Sequence, residues 1–322
     1  MKTIRGIVTI LLMSIMFLGL VSCSRRGGET SVIRINIGHA ITSVVTQMLK
    51  MSDSFKNILP DGVSVEWTTV NRSNDIRDAI AAGRIDVGAI GIAQLLSALA
   101  NDLPIVLISY AGPASGFIYS ANPSIRSAED MHRANRIAIS NIGGVQHFRL
   151  MLLAKEFFGD ANIFNNRLVS MQTPDMLATV ETSDILDLIV VSSTISALTE
   201  NVERLNRIAD LSMLGEDGMF LVAGREFYEN NPALIDILRG AFREVVDFLN
   251  ENPDKAAQLL ADEFGYSDAA EIAEELKLSP PRIEVSESGF DMVVEAMYAF
   301  GMIPRRVLLA DLPNYNSIPK RP

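Results

Sequence analysis

From residue 32 onward the chain repeats one unit: a short β-branched or apolar run, a turn marked by glycine or a small polar residue, then a helix-length amphipathic stretch. "VIRINIG" (32–38) alternates like a strand and closes on Gly38, and a helical face follows over 42–57, marked by Val45, Met48, Leu49 and Met51. "GVSVEWTTV" (62–70) is a second strand. "SNDIRDAIAAG" (73–83) is a helix with a Ser or Asn cap and Gly83 as its stop. "DVGAIG" (86–91), the helix "AQLLSALAN" (93–101) and the strand "PIVLISYAG" (104–112) complete the first set. Strands alternating with helices at these lengths build βαβ units around a parallel-rich sheet, which excludes an all-helical bundle and an all-β sandwich.

The stretch "AAGRIDVGAIGIAQLL" (81–96) ends a strand on glycine and enters a helix at once. In parallel sheets the loops leaving the carboxyl ends of strands gather at a crevice where ligands bind. Gly88 and Gly91 either let backbone approach a guest or only permit tight strand–helix packing. The local sequence leaves both readings open.

The pattern restarts after Gly116. "FIYSA" (117–121), the helical turn "SAEDMHR" (127–133) and the strand and glycine turn "NRIAISNIGG" (135–144) come first. "VQHFRLMLLAKEFFG" (145–159) is a strong helix, expected to bury Phe148, Leu152 and Phe157. "RLVSMQ" (167–172), a helix from Pro174, "DLIVVSS" (187–193) and the helix "TISALTENV" (194–202) make a second set. A return strand, "MFLVAG" (219–224), then leads into helices over 231–252, 253–265 and 287–302. The expected architecture is α/β in two lobes: residues 32–114 with 216–322 form a discontinuous first lobe, and 115–215 form the second.

The amino-terminal residues read separately. Lys2 and Arg5 precede an apolar run over 7–20, followed by "LVSC" (20–23), which resembles the bacterial lipobox. Residues 1–22 are therefore expected to be a lipoprotein signal peptide, Cys23 the lipidated residue, and 23–31 a flexible tether. Cys23 is the only cysteine, so the body carries no internal disulfide. The formal net charge of −11 argues against nucleic acid as a partner and against electrostatic adhesion to anionic lipid.

Five segments, "AAGRIDVGAIG", "NPSIRSAEDMHRANRIAIS", "PDMLATVETSDILDLIVVS", "NENPDKAAQLLADEFG" and "AMYAFGMIP", fall in the order found in one family. The chain from about Ile33 to Pro304 resembles the extracytoplasmic substrate-binding proteins of ABC importers of the nitrate/sulfonate/taurine type, whose relatives include thiamine-pyrimidine binders. The resemblance implies the two-lobed type II periplasmic binding fold, with lobes joined by two crossovers and a small-molecule ligand in the cleft between them. It further implies a monomer that serves the transmembrane subunits of an ABC permease. Receptors of TRAP-type carriers share the two-lobe plan, and related folds also build thiamine pyrimidine as enzymes. Many relatives carry an aromatic–acid–proline turn where this chain has "VSST" (191–194), so the ligand is not carried over with the family.

Strand-end loops supply the ligand-binding candidates. The first lobe and the crossover leaving it offer Gly38, His39, Thr42, Gly91, Ile92, Gln94, Ala111, Gly112 and Ser115. The second offers Asn141, Gly143, Gly144, Gln146, His147, Ser192, Ser193 and Thr194. Such helix N-termini, hydroxyls and amides suit a small anion or a polar heterocycle. His39 and His147 read either as packing residues or as two sides of a shared site, and Arg34 and Arg149 are the nearest cations. The body has no cysteine, G-x-S-x-G, H-E-x-x-H or P-loop, so no catalytic residue, metal or cofactor is expected.

Overall fold

Two five-stranded sheets carry the chain. The structure is a computed structural model and describes residues 33–40, 43–70, 72–113, 116–192, 202–211, 218–264, 269–278 and 280–321. The first sheet contains β1 (Ile33–Ala40), β2 (Val63–Val70), β3 (Val87–Gly91), β4 (Ile105–Pro113) and β10 (Gly218–Gly224), in the order β2-β1-β3-β10-β4. The second contains β5 (Gly116–Ser120), β6 (Ile137–Ile139), β7 (Leu168–Ser170), β8 (Leu188–Ser192) and β9 (Asn206–Asp210), in the order β7-β6-β8-β5-β9.

The sheets are mixed, and the direction of each strand follows from the path of the chain. Strands entered from a crossover helix run parallel: β1 with β3, and β6 with both β7 and β8. The strands that carry the chain between sheets run against their neighbours. Thus β10 is antiparallel to β3 and β4, and β5 is antiparallel to β8 and β9. The sequence pattern anticipates the parallel pairs and not these antiparallel ones.

The described α-helices are α1 (Val44–Met51), α2 (Asp53–Ile58), α3 (Ser73–Ala81), α4 (Ile92–Ala100), α5 (Val145–Phe158), α6 (Thr173–Thr182), α7 (Arg225–Asn230), α8 (Pro232–Glu251), α9 (Pro253–Phe264), α10 (Ala269–Leu278) and α11 (Glu287–Ala299). Several differ from expectation for local reasons. The single helix expected over 42–57 breaks at Ser52, whose extended backbone ends α1 and whose hydroxyl accepts the Phe55 N–H to start α2. In α3, Arg72 holds the N-cap position and Ser73 is already helical, with no side-chain cap. The helix expected over 194–202 lies outside the described residues, apart from Val202.

The long helix α5 is buried on more than one side. Phe148 is 1% exposed, whereas Phe157, expected to be buried with it, is 42% exposed. Nine residues at about 3.6 per turn make two and a half turns, which puts the two rings on opposite faces. Val145 and Phe148 join the core of the first sheet with Ile92, Leu95 and Phe220. Leu150, Leu153 and Ala154 join a core of the second sheet with Ile118, Ile137 and Val190. Ile35–Leu59 and Val65–Pro322 form one compact unit. Ile33 and Arg34 group separately with Pro60–Ser64, where the Ile33 N–H donates to Gly62 O.

Among the described residues no helix is long and apolar enough to cross a membrane.

Candidate functional site

The ends of β3 and β6 determine what their helices meet. Gly91 closes β3 and is the N-cap of α4; Gly144 follows β6 and is the N-cap of α5. A methyl group built on Gly91 would lie 3.4 Å from Val145 Cβ and 2.7 Å from Gln94 Oε1. One built on Gly144 would lie 2.9 Å from Gln94 Nε2 and 2.8 Å from Asn141 Cβ. The first turns of two helices, one from each sheet, are thus in contact, with the Gln94 amide lodged between them.

Both helix N-termini are electropositive and neither is neutralised. α4 and α5 have no side-chain cap and no acidic residue in the first turn, and the same is true of α1 after β1. The other helices that follow strands carry Asp75 in α3, Asp175 in α6, Glu226 in α7 and Glu287 in α11. A free N-terminus presents unpaired N–H groups and about half a positive charge to whatever sits before it. The chain therefore withholds carboxylates at the carboxyl ends of β1, β3 and β6.

Polar side chains at this end are incompletely satisfied. Gln94 is 1% exposed, and its Oε1 has no hydrogen-bond partner. Asn141 Oδ1 and Ser192 Oγ are likewise buried without a partner. Asn141 and Ser192 each lie two residues beyond the paired Ile139 and Val190, so the two strands deliver them to the same sheet edge.

The structure separates the remaining candidates into packing and positioning roles. Gly38 lies within β1, where an added methyl would meet Ile85 at 2.9 Å and Ile76 at 3.4 Å. Gly88 is tighter, 2.6 Å from Ile76. The two readings of the "GAIG" turn therefore divide between its glycines: Gly88 packs against α3, and Gly91 faces α5. The Ile92 side chain is core. Gly112 is the penultimate residue of β4, at φ 118°, beside Val45 and Pro281. Gln146 is half-buried in the first turn of α5. Thr42, Ser115, Ser193 and Thr194 lie outside the described residues.

His39 and His147 have different surroundings. His39 pairs through Nε2 with Thr69 Oγ1 at 3.0 Å and stands edge-on to Trp67. His147 accepts the Gly143 N–H on Nδ1 at 2.9 Å and reaches Asn165 Oδ1 through Nε2 at 3.0 Å. It braces the glycine turn, where Gly143 sits at φ 81°. Burial lowers the His147 pKa below its ordinary 6.5, against an opposing hydrogen bond to Asn165. The unfolded chain therefore takes up this proton before the folded protein does. The stability gained is complete above the ordinary value and is lost as pH falls through the folded one. We expect His147→Gln, whose amide keeps an acceptor and a donor, to flatten the fall in melting temperature on acidification from about pH 6.5. Superimposable pH curves for variant and parent would contradict this role.

The two cations nearest the loops differ in exposure. Arg149 is 2% exposed within α5, while Arg34 is exposed on β1. Arg282, not singled out from sequence, places its guanidinium 4.4 Å over the Tyr110 ring, and Tyr110 N–H donates to Ile283 O. This segment lacks periodicity, so only the tertiary contact reveals it. A cavity of about 520 Å³ lined by Ile80, Asp86, Pro104, Gly224 and Glu226 lies at the amino ends of β3 and β4. That is the end opposite Gly91, away from the N-termini of α4 and α5. Among the described residues no group of His, Cys, Asp or Glu is arranged to hold a metal ion.

Residues 60–256 match the family described as NMT1/THI5 like. Among curated proteins none matches the chain by sequence. Among solved structures, the alkanesulfonate-binding protein SsuA from Xanthomonas axonopodis pv. citri bound to MOPS is similar with TM-score 0.72 and 18% identity, over 89% of this chain and 98% of that one. The periplasmic aliphatic sulphonate-binding protein SsuA from Escherichia coli gives 0.68 and 19%, over 88% and 97%. The periplasmic nitrate-binding protein NrtA from Synechocystis PCC 6803 gives 0.68 and 13%, over 85% and 83%. At these identities the likeness establishes a shared fold, that of periplasmic binding proteins.

Proposed function

Because the chain belongs to the NMT1/THI5-like family and has the periplasmic binding fold, we propose that it is a solute-binding receptor that passes a small polar or anionic molecule to an ABC import permease. Residues 32–114 with 216–322 form one jaw and 115–215 the other. The observation that carries this reading is the meeting of two uncapped helix N-termini, from different sheets, around Gln94. A guest there touches both jaws, which gives the closed state the differential contact that closure requires. Oxyanions are favoured by the free N–H groups and by the exclusion of carboxylates from those first turns. The neighbouring sulfonate- and nitrate-binding proteins support the same ligand range. The reading includes export, with residues 1–22 removed and Cys23 lipidated, a monomeric receptor, and no chemical step.

The test is a thermal-shift panel of methanesulfonate, taurine, nitrate and 4-aminopyrimidine, with native mass spectrometry of the purified protein. A binder present at about 100 times its dissociation constant stabilises the folded state by about 2.7 kcal/mol, visible as a dose-dependent rise in melting temperature. No shift across the panel, with no small molecule co-purifying, would overturn the reading.

A further inference from the structure

Resting on that reading of the site, we propose that Gln94, with Asn141, selects, among the polar and anionic ligands the helix N-termini admit, those that carry a hydrogen-bond donor beside their acceptor group. A primary amide presents one carbonyl acceptor and two N–H donors side by side. Gln94 is 1% exposed, its Oε1 has no hydrogen-bond partner, and its ends point at Gly91 and at the Gly144 turn. Asn141 adds a second carbonyl oxygen without a partner. Turning either amide over exchanges its positions and keeps the requirement: carbonyl oxygens must be met by donors. The first-turn N–H groups of α4 and α5 ask the opposite, since they must be met by acceptors.

Nitrate, sulfate or an alkanesulfonate supplies acceptors only. Such an anion satisfies the helix N-termini and leaves Gln94 Oε1 and Asn141 Oδ1 as they are in the free protein, buried and unpaired, so it gains nothing from them. An amino-sulfonate, a ureide or an aminopyrimidine satisfies both sets. A site built to hydrogen-bond a donor rejects the analogue lacking it far more strongly than an apolar pocket rejects an extra methylene.

The experiment is titration calorimetry on the full chain with two matched pairs: taurine against ethanesulfonate, and 4-aminopyrimidine against pyrimidine. The parent and Gln94→Met are compared, with thermal unfolding of both in the absence of added compound. In the parent, the donor-bearing member of at least one pair binds about tenfold or more tightly than its partner, about 1.4 kcal/mol. In Gln94→Met that ratio falls to near unity, because only the donor-bearing compound loses affinity. The melting temperature of Gln94→Met stays level or rises, since an unsatisfied buried amide has been removed. A parent that binds both members of each pair equally overturns the proposal and leaves the receptor reading standing. So does a Gln94→Met that keeps the ratio, or one that melts well below the parent and so marks the amide as structural. Absence of any binding, with nothing co-purifying, overturns the receptor reading and the proposal with it.

Discussion

Gly144→Ala is expected to reduce ligand affinity by tenfold or more, about 1.4 kcal/mol, while leaving a folded protein. Gly144 sits at φ −91°, a backbone conformation any residue adopts, so the effect is steric. The new methyl would stand 2.8 Å from Asn141 Cβ and 3.0 Å from Asn141 O within the same turn, and 2.9 Å from Gln94 Nε2 across it. Real Cβ contacts do not come this close, so the turn must shift. The shift moves the first turn of α5 and the Asn141 amide together. Overpacking of this kind costs about 1–3 kcal/mol of stability. Calorimetry with the panel compound that gives the largest thermal shift measures the affinity, and circular dichroism verifies the fold. The adjacent Gly143→Ala separates steric from conformational effects. Gly143 has nothing within 4 Å of an added methyl but sits at φ 81°, so its substitution adds about 1–2 kcal/mol of left-handed strain without blocking the site. Affinity within twofold of the parent for Gly144→Ala would remove the turn from the binding machinery.

Gly218→Val is expected to be the most destabilising single substitution at a described glycine. Gly218 opens β10, opposite Pro113 of β4, where the chain re-enters the first sheet. A methyl there would fall 2.1 Å from Tyr110 Oη and 2.5 Å from Cζ. The ring cannot step aside. It is 2% exposed, packed edge-on against Phe220 with centroids 5.1 Å apart, and covered by Arg282 at 4.4 Å. We expect a loss of about 3 kcal/mol or more. For a domain of this size that is a fall in melting temperature of roughly 6–12 °C. Gly224→Ala, at the other end of the same strand, is the control: its nearest neighbour is Ile80 Cγ2 at 3.7 Å, an ordinary contact. Thermal unfolding compares the two. A Gly218→Val protein melting within about 2 °C of the parent would show that Tyr110 has room to yield.

The parts of the site legible in sequence are those whose chemistry is local. A strand that ends on glycine and passes directly into a helix announces a helix N-terminus at the strand's carboxyl end. Gly91, Gln94 and Gly144 stand out on that ground, and the structure brings them together. What was not legible depends on partners far along the chain. Gly38 and Gly88 look the same as Gly91 in sequence, yet Ile76 and Ile85 decide that they pack. β9 has no apolar alternation to betray it: its sequence is "NRIAD", largely exposed, at the edge of the second sheet beside β5. α10 escaped notice as well, a short acidic helix against α9. Arg282 lies in a stretch without periodicity, and its place over the Tyr110 ring is a tertiary contact. The misplacement of Phe157 is a matter of helical phase, which two and a half turns reverse.

The double membership of α5 has a mechanical consequence. Its first turn is embedded in one core through Val145 and Phe148, which also meets Phe300, and its later turns in the other through Leu150 and Leu153. Pulling the halves straight apart would strip Phe148 bare, at about 1.5–3 kcal/mol for that ring alone. For the two-jaw receptor proposed above, any opening that parts the two sheets at this helix therefore carries the cost of wetting Phe148.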